Sequence, residues 1–132
     1  MKLLDTSFLV DYLRGHPSAG AYVTDHDGEA FVGSAVAFYE LYHGAVKVGR
    51  PIEDVDRDLR WVDREPFALE HGREAARIRE ELESAGGRIE HPDTMLAGVA
   101  RSIGAPVVTA NAEHFERVAN LRVENHRTTY PE

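Results

Sequence analysis

The opening Lys2-Leu3-Leu4-Asp5-Thr6-Ser7-Phe8-Leu9-Val10-Asp11 constrains the fold more than any other stretch, because a strand signal there runs straight into a helix signal with a carboxylate on the junction. A strand that hands directly to a helix is the first step of an α/β sheet, and in open α/β sheets ligands bind outside the carboxyl ends of the strands. Asp5 is placed at that edge. Followed by Thr6 and Ser7 rather than by glycines, it suits a hard cation better than a dinucleotide. Taken alone, it is equally suited to capping the helix it precedes.

The rest of the chain continues the same rhythm. Helical patterns near Ser7 to Arg14 and Ser18 to Thr24 lead to an apolar run, Ala30-Phe31-Val32. Ser34 offers a cap to a helix reaching Lys47, stopped by Gly49 and Pro51. Further helices are expected over Ile52 to Val62, around Ala75 to Ala85 and from Pro92 to Ile103, with a short strand near Pro66 to Leu69 after the first of these. Pro106 to Thr109 reads as a buried strand, Asn111 to Phe115 as loop and turn, and Leu121 to Glu124 as a last strand. From Asn125 the tail is polar and is expected to be mobile. These signals predict an α/β fold with a parallel sheet flanked by helices, in a single domain over residues 1–132.

A chain of 132 residues buries roughly two-thirds of its unfolded surface without covalent help. It has no cysteine, which removes disulfides and thiolate zinc sites from consideration and makes the cytoplasm the default compartment. No basic, apolar leader opens the sequence, and no run approaches the roughly 18 apolar residues of a membrane span. The net charge of −8 argues against a polyanionic partner. Two facts weaken that objection: 13 of the 15 basic residues are arginines, suited to phosphate, and carboxylates that hold divalent cations no longer present their full charge.

Three further residues join Asp5 as candidate ligands. Glu40 is set in the otherwise apolar Ser34-Ala35-Val36-Ala37-Phe38-Tyr39-Glu40-Leu41, where a carboxylate needs an arginine or a cation as partner. Asp93 follows Pro92 in a first helical turn, where the helix dipole also favours a negative charge. Asn111 follows the strand ending at Thr109, in a place that suits a plain turn residue as well. Thr6 and Thr109 stand where a hydroxyl could orient Asp5 or a bound water. An oxygen-rich, sulfur-free set of this kind favours Mg²⁺ or Mn²⁺. His91 and His114 lack the i, i+4 pairing of a zinc helix, and Asp11 falls on the helix face away from Asp5, which predicts a surface position. Arg14, Lys47, Arg50 and Arg101 are candidates for a nucleic-acid-facing rim.

In the order and setting of these residues the chain resembles the PIN-domain family, and within it the VapC-type toxin ribonucleases of prokaryotic toxin–antitoxin pairs. The resemblance runs nearly end to end, through Leu3-Leu4-Asp5-Thr6-Ser7, Glu40 in its apolar segment, Pro92-Asp93-Thr94-Met95-Leu96-Ala97-Gly98-Val99-Ala100, and Val108-Thr109-Ala110-Asn111-Ala112-Glu113-His114-Phe115. It implies a PIN-like α/β fold and a metal-dependent endoribonuclease with catalytic Asp5, Glu40 and Asp93. The implied metal ligands are the same three acids with Asn111, holding Mg²⁺ or Mn²⁺, with Thr6 and Thr109 supporting them. The implied partners are an RNA substrate and a cognate VapB-like antitoxin whose C-terminal segment covers the groove. A homodimer is expected as well, and the apolar helix faces over Tyr39 to Val46 and Ile52 to Val62 suit its interface or the core equally.

One departure stands out. Many family members carry an Asp at the place of Asn111, of His114 or of both, and this chain has neither acid. That keeps a second reading open, an inactive PIN-like module that only binds RNA or protein. A HAD-like phosphatase or a receiver domain fits less well, because no second Asp follows Asp5 by two residues and no Lys follows the Val107 to Thr109 strand.

Overall fold

A computed structural model describes residues 1–131. Five strands, β1 (Lys2–Leu4), β2 (Phe31–Ser34), β3 (Asp63–Glu65), β4 (Val107–Thr109) and β5 (Val123–Asn125), form one parallel sheet in the order β3-β2-β1-β4-β5. The two most apolar pairs take the middle. Leu3, Leu4, Val107 and Val108 are fully buried, as parallel strands covered on both faces require. The chain runs outward from β1 to β3 and then returns to the other side of β1 to lay down β4 and β5, so the strand order reverses between β1 and β4. At such a reversal the helices leave in opposite directions and a crevice opens at the carboxyl ends of the strands.

The helices are α1 (Thr6–Leu13), α2 (Pro17–Asp25), α3 (Ala35–Lys47), α4 (Ile52–Asp58), α5 (Leu69–Ser84), α6 (His91–Ile103), α7 (Ala112–Phe115) and α8 (His126–Thr129). Sequence chemistry sets their ends. Asp5 and Ser34 cap α1 and α3 by accepting the Phe8 and Val36 amides at 2.9 and 3.1 Å. Gly104 closes α6 with φ +69, a left-handed turn that glycine adopts without strain. Gly98 lets α6 press on α5, since a Cβ there would stand 2.8 Å from the Ala75 Cβ and from the His71 carbonyl oxygen. Phe8, Leu9, Ile78, Leu96, Ala97 and Phe115 fill the core between the helices and the sheet.

The structure corrects several local expectations. The third strand lies at Asp63–Glu65 rather than Pro66 to Leu69; Leu69 instead begins α5 and is exposed. β3 is an edge strand that pairs with β2 through its backbone, so its side chains carry no apolar signal. α4 stops at Asp58, and a turn carries Leu59 and Val62 into the core. Asn111 to Phe115 includes the one-turn helix α7.

The polar tail is ordered. β5 continues through Asn125, opposite Thr109, and α8 follows at once. His126 is fully buried with its ring 4.6 Å from that of Phe8, and its Nε2 lies 2.8 Å from Asp11 Oδ2. Arg127 donates to both Asp11 oxygens, at 2.8 and 2.7 Å. Asp11 is therefore buried, not at the surface, because two basic side chains from the far end of the chain complete its shell. Burial pushes its carboxyl up, but the Arg127 and His126 bonds outweigh that and hold it below the usual value.

Candidate functional site

Asp5 lies at the carboxyl end of β1 and Thr109 at that of β4, side by side at the reversal point of the sheet. The Thr109 hydroxyl donates to Asp5 Oδ2 at 2.6 Å. Asp5 Oδ1 accepts the Phe8 amide at 2.9 Å and the Ser7 hydroxyl at 2.7 Å. Ser7 Oγ in turn accepts the Ala110 amide at 2.9 Å, and Thr109 Oγ1 accepts the Asn111 amide at 2.8 Å. The loops after β1 and β4 are thus tied together through one carboxylate. Asp5 is the N-cap of α1, and it caps the helix from the carboxyl edge of the sheet.

Asp5 is 1% exposed, and none of its hydrogen-bond partners among the described residues is basic. Burial pushes its carboxyl from the ordinary 3.8 up to about 6. The Thr109, Phe8 and Ser7 bonds restrain the rise, and the nearby charge of Asp93 adds to it. Asp93, in the first turn of α6, is thus within electrostatic reach of Asp5. Asp93 Oδ2 lies 3.2 Å from His114 Nδ1 on α7. Glu40, half-buried on α3, accepts the Thr6 hydroxyl at 2.6 Å through Oε1. Thr6 therefore serves Glu40, while Thr109 serves Asp5. Asn111 is exposed at the start of α7, where its side chain makes no capping bond.

Among the described residues no group of three or more His, Cys, Asp or Glu side chains stands close enough to hold a metal ion by itself. Thr6, next to Asp5 in the chain, holds Glu40, and Asp93 acts on Asp5 electrostatically, but the three acids do not close into a cage. Their chemistry still fits a small hard cation: Mg²⁺ keeps several of its waters and takes one or two carboxylates together with substrate oxygens. Of the four or so acceptor positions of the Asp5 carboxylate, three are used, which leaves one on Oδ2. Asp5 and Asp93 could hold such an ion directly, with Glu40 acting on its water.

Sequence reasoning missed Ser7 as a support of Asp5 and His114 as the partner of Asp93. The serine was legible in principle, two residues after a strand-end Asp; the histidine depends on how α7 folds back onto α6. Of the expected basic rim, Arg14 and Arg50 line a cleft of about 240 Å³ that reaches Glu40. Arg101 does not belong to a rim, since it is tied to Glu81 at 2.9 Å and to Glu74 at 3.2 Å. Tyr39, Val46 and Val48 stay exposed on and just after α3. No helix among the described residues is long and apolar enough to cross a membrane.

A five-stranded parallel sheet in this order, with a carboxylate buried at its reversal point, defines an α/β protein with a candidate site at the carboxyl edge of the sheet. The PIN domain family model matches residues 2–121, and the chain belongs to that family. It is 31% identical over 129 residues to ribonuclease VapC2 of Haemophilus influenzae, covering 93% of this chain and 96% of that protein. It is likewise 31% identical, over the same shares, to the tRNA(fMet)-specific endonuclease VapC of Shigella flexneri. Among solved structures, DNA-bound VapBC from Salmonella typhimurium superposes with a TM-score of 0.85 at 25% identity, over 96% of this chain and 99% of that one.

Proposed function

We propose that this chain is the toxin of a toxin–antitoxin pair, an endoribonuclease that hydrolyses RNA phosphodiester bonds at a Mg²⁺ or Mn²⁺ held by Asp5 and Asp93 with Glu40 beside them. The nuclease class rests on the VapC relatives, and a VapB-like antitoxin as partner rests on the likeness to VapBC complexes. The observation that carries the site is Asp5 itself. A buried carboxylate with a raised pKa and no basic partner among the described residues, placed at the ligand-binding edge of the sheet, weakens the fold, and groups of that kind concentrate where chemistry needs them.

When bound, the divalent cation supplies Lewis acidity and charge neutralisation at the scissile phosphodiester. The protein's own part is positioning. Thr109, Ser7 and the Phe8 amide fix both oxygens of Asp5, so the carboxylate does not reorient on loading. Glu40, held at Oε1 by Thr6, has Oε2 available to take a proton from an attacking water. Asn111 stands in place of an acid, so it leaves the crevice less negative toward an incoming phosphate and binds cations more weakly than Asp would.

The test is cleavage of total RNA by the purified protein, with sites mapped by sequencing of the new ends. Cleavage that needs Mg²⁺ or Mn²⁺, stops with EDTA and is lost in Asp5→Asn and Asp93→Asn supports the reading. Cleavage retained by Asp5→Asn at near the wild-type rate overturns it.

A further inference from the structure

A second cleft, of about 390 Å³, opens beside the acidic crevice where the connection from α5 to α6 meets α7. Arg79, Arg88 and Arg117 line it with His91 and His114, and Glu90 is the one acid among its lining residues. His114 belongs to both places, since its Nδ1 lies 3.2 Å from Asp93 Oδ2. Arg79 is largely committed to the fold, bonded to Glu83 at 3.0 Å and to the Ile89 carbonyl at 2.8 Å. Arg88 and Arg117 are not. Both are exposed, neither pairs with a carboxylate among the described residues, and the bond between them runs from the Arg117 guanidinium to the Arg88 carbonyl at 3.4 Å.

The setting of this pair is what distinguishes it. The chain carries a net charge of −8, and Arg57, Arg64, Arg77, Arg79, Arg101 and Arg127 each hold at least one acid. Arg88 and Arg117, two guanidinium groups without a carboxylate partner among the described residues, share one concave space with imidazole side chains, a donor set suited to an anion. Guanidinium forks match phosphate oxygens in pairs, and imidazole N–H groups add further donors. The position also matters. His114 joins the cleft to Asp93, so a polynucleotide with one phosphodiester at Asp5 and Asp93 would have this cleft within reach of a neighbouring phosphate.

We propose that the Arg88–Arg117 cleft is a phosphate-backbone subsite that holds the RNA strand next to the bond being cut. The inference rests on the ribonuclease reading and adds to it where the substrate lies. It also explains how an acidic protein engages a polyanion: the acids face the cation, and a local basic cleft beside them faces the backbone.

The experiment measures anisotropy of a fluorescein-labelled single-stranded RNA with the Asp5→Asn protein, with and without Arg88→Ala/Arg117→Ala, over a series of KCl concentrations. Both arginines are exposed, and a thermal melt of each variant confirms that the fold is kept. The double substitution is expected to weaken binding at least ten-fold. It should also lower the slope of log Kd against log salt by about 1.4, roughly 0.7 for each single-strand phosphate that no longer meets an arginine. Arg88→Lys/Arg117→Lys should recover much of the affinity, because a point charge still serves a phosphate.

An unchanged Kd and slope in the alanine variant, while the parent binds RNA, overturns the subsite and leaves the ribonuclease reading intact. Poly-glutamate bound as tightly as RNA, with the same weakening on substitution, also overturns it and points to an acidic protein segment instead. If wild-type protein neither binds nor cuts any RNA, the ribonuclease reading itself falls and takes the subsite with it.

Discussion

Replacing Asp5 by Asn should make the metal-free protein more stable while it stops being a nuclease. Burial raises the folded carboxyl from 3.8 to about 6, so between those values the folded chain holds a proton that the unfolded chain has released. Stability from this group therefore falls as pH rises through that window, and above it the full cost is present. Roughly two units at 1.36 kcal/mol each set that cost at about 3 kcal/mol.

Asparagine does not titrate, and its amide can replace the existing bonds. The carbonyl oxygen keeps the Phe8 and Ser7 donors, and the NH₂ group donates to Thr109 Oγ1 if that hydroxyl turns. Allowing for imperfect exchange, the variant should gain roughly 1–3 kcal/mol at pH 7.5, a melting temperature higher by about 4–10 °C. Urea denaturation followed by circular dichroism in EDTA reads this directly. The gain should shrink as pH falls from 6 toward 4.5, and the titration of Asp11 and other groups cancels in the comparison. A variant no more stable than wild type at pH 7.5, or a gain that is the same at both ends of the range, would refute the reasoning.

Thr109→Val removes the 2.6 Å bond that orients Asp5 Oδ2, and should weaken Mn²⁺ binding and slow cleavage by about 10–100-fold, as measured by calorimetry and by single-turnover rates. Asp11→Ala strands the buried His126 Nε2 and removes the carboxylate that Arg127 grips at both oxygens; discounted for the half-exposed arginine, the loss should be about 2–3 kcal/mol by urea denaturation, and a change below about 0.5 kcal/mol would show that α8 is not anchored through this residue. Gly98→Ala forces a methyl group to within 2.8 Å of α5 backbone and should destabilise by about 1–3 kcal/mol or more; Ala75→Gly should recover only part, because the His71 carbonyl and Ala75 amide remain.

The parts of this fold that are legible in the sequence are those with a one-dimensional signature. β1 and β4 are buried on both faces, so Leu3-Leu4 and Val107-Val108 read as apolar runs, and the places of Asp5 and Thr109 at the carboxyl edge of the sheet follow from where those runs end. β3 escapes such a reading because an edge strand made of Asp63-Arg64-Glu65 is held by backbone pairing alone. The ordered tail escapes it too, because the value of His126 and Arg127 depends on Asp11, 115 and 116 residues away. The same holds for the acids at the site: their order is readable, but the Asp93–His114 and Glu40–Thr6 pairings exist only once α6, α7, α3 and α1 meet at one edge. The Arg88–Arg117 cleft has no local signal at all.

If carboxylates at the reversal point of this sheet direct water onto an RNA phosphodiester, the end groups of the RNA fragments record it. Hydrolysis by water leaves a 5′-phosphate and a 3′-hydroxyl, so fragments made with Mn²⁺ should be degraded by a 5′-phosphate-dependent exonuclease and should be absent from reactions with Asp5→Asn or Asp93→Asn. Fragments ending in 2′,3′-cyclic phosphate, formed equally well in EDTA and by both variants, would show that the ribose hydroxyl is the nucleophile and that the acidic crevice is not where the bond is cut.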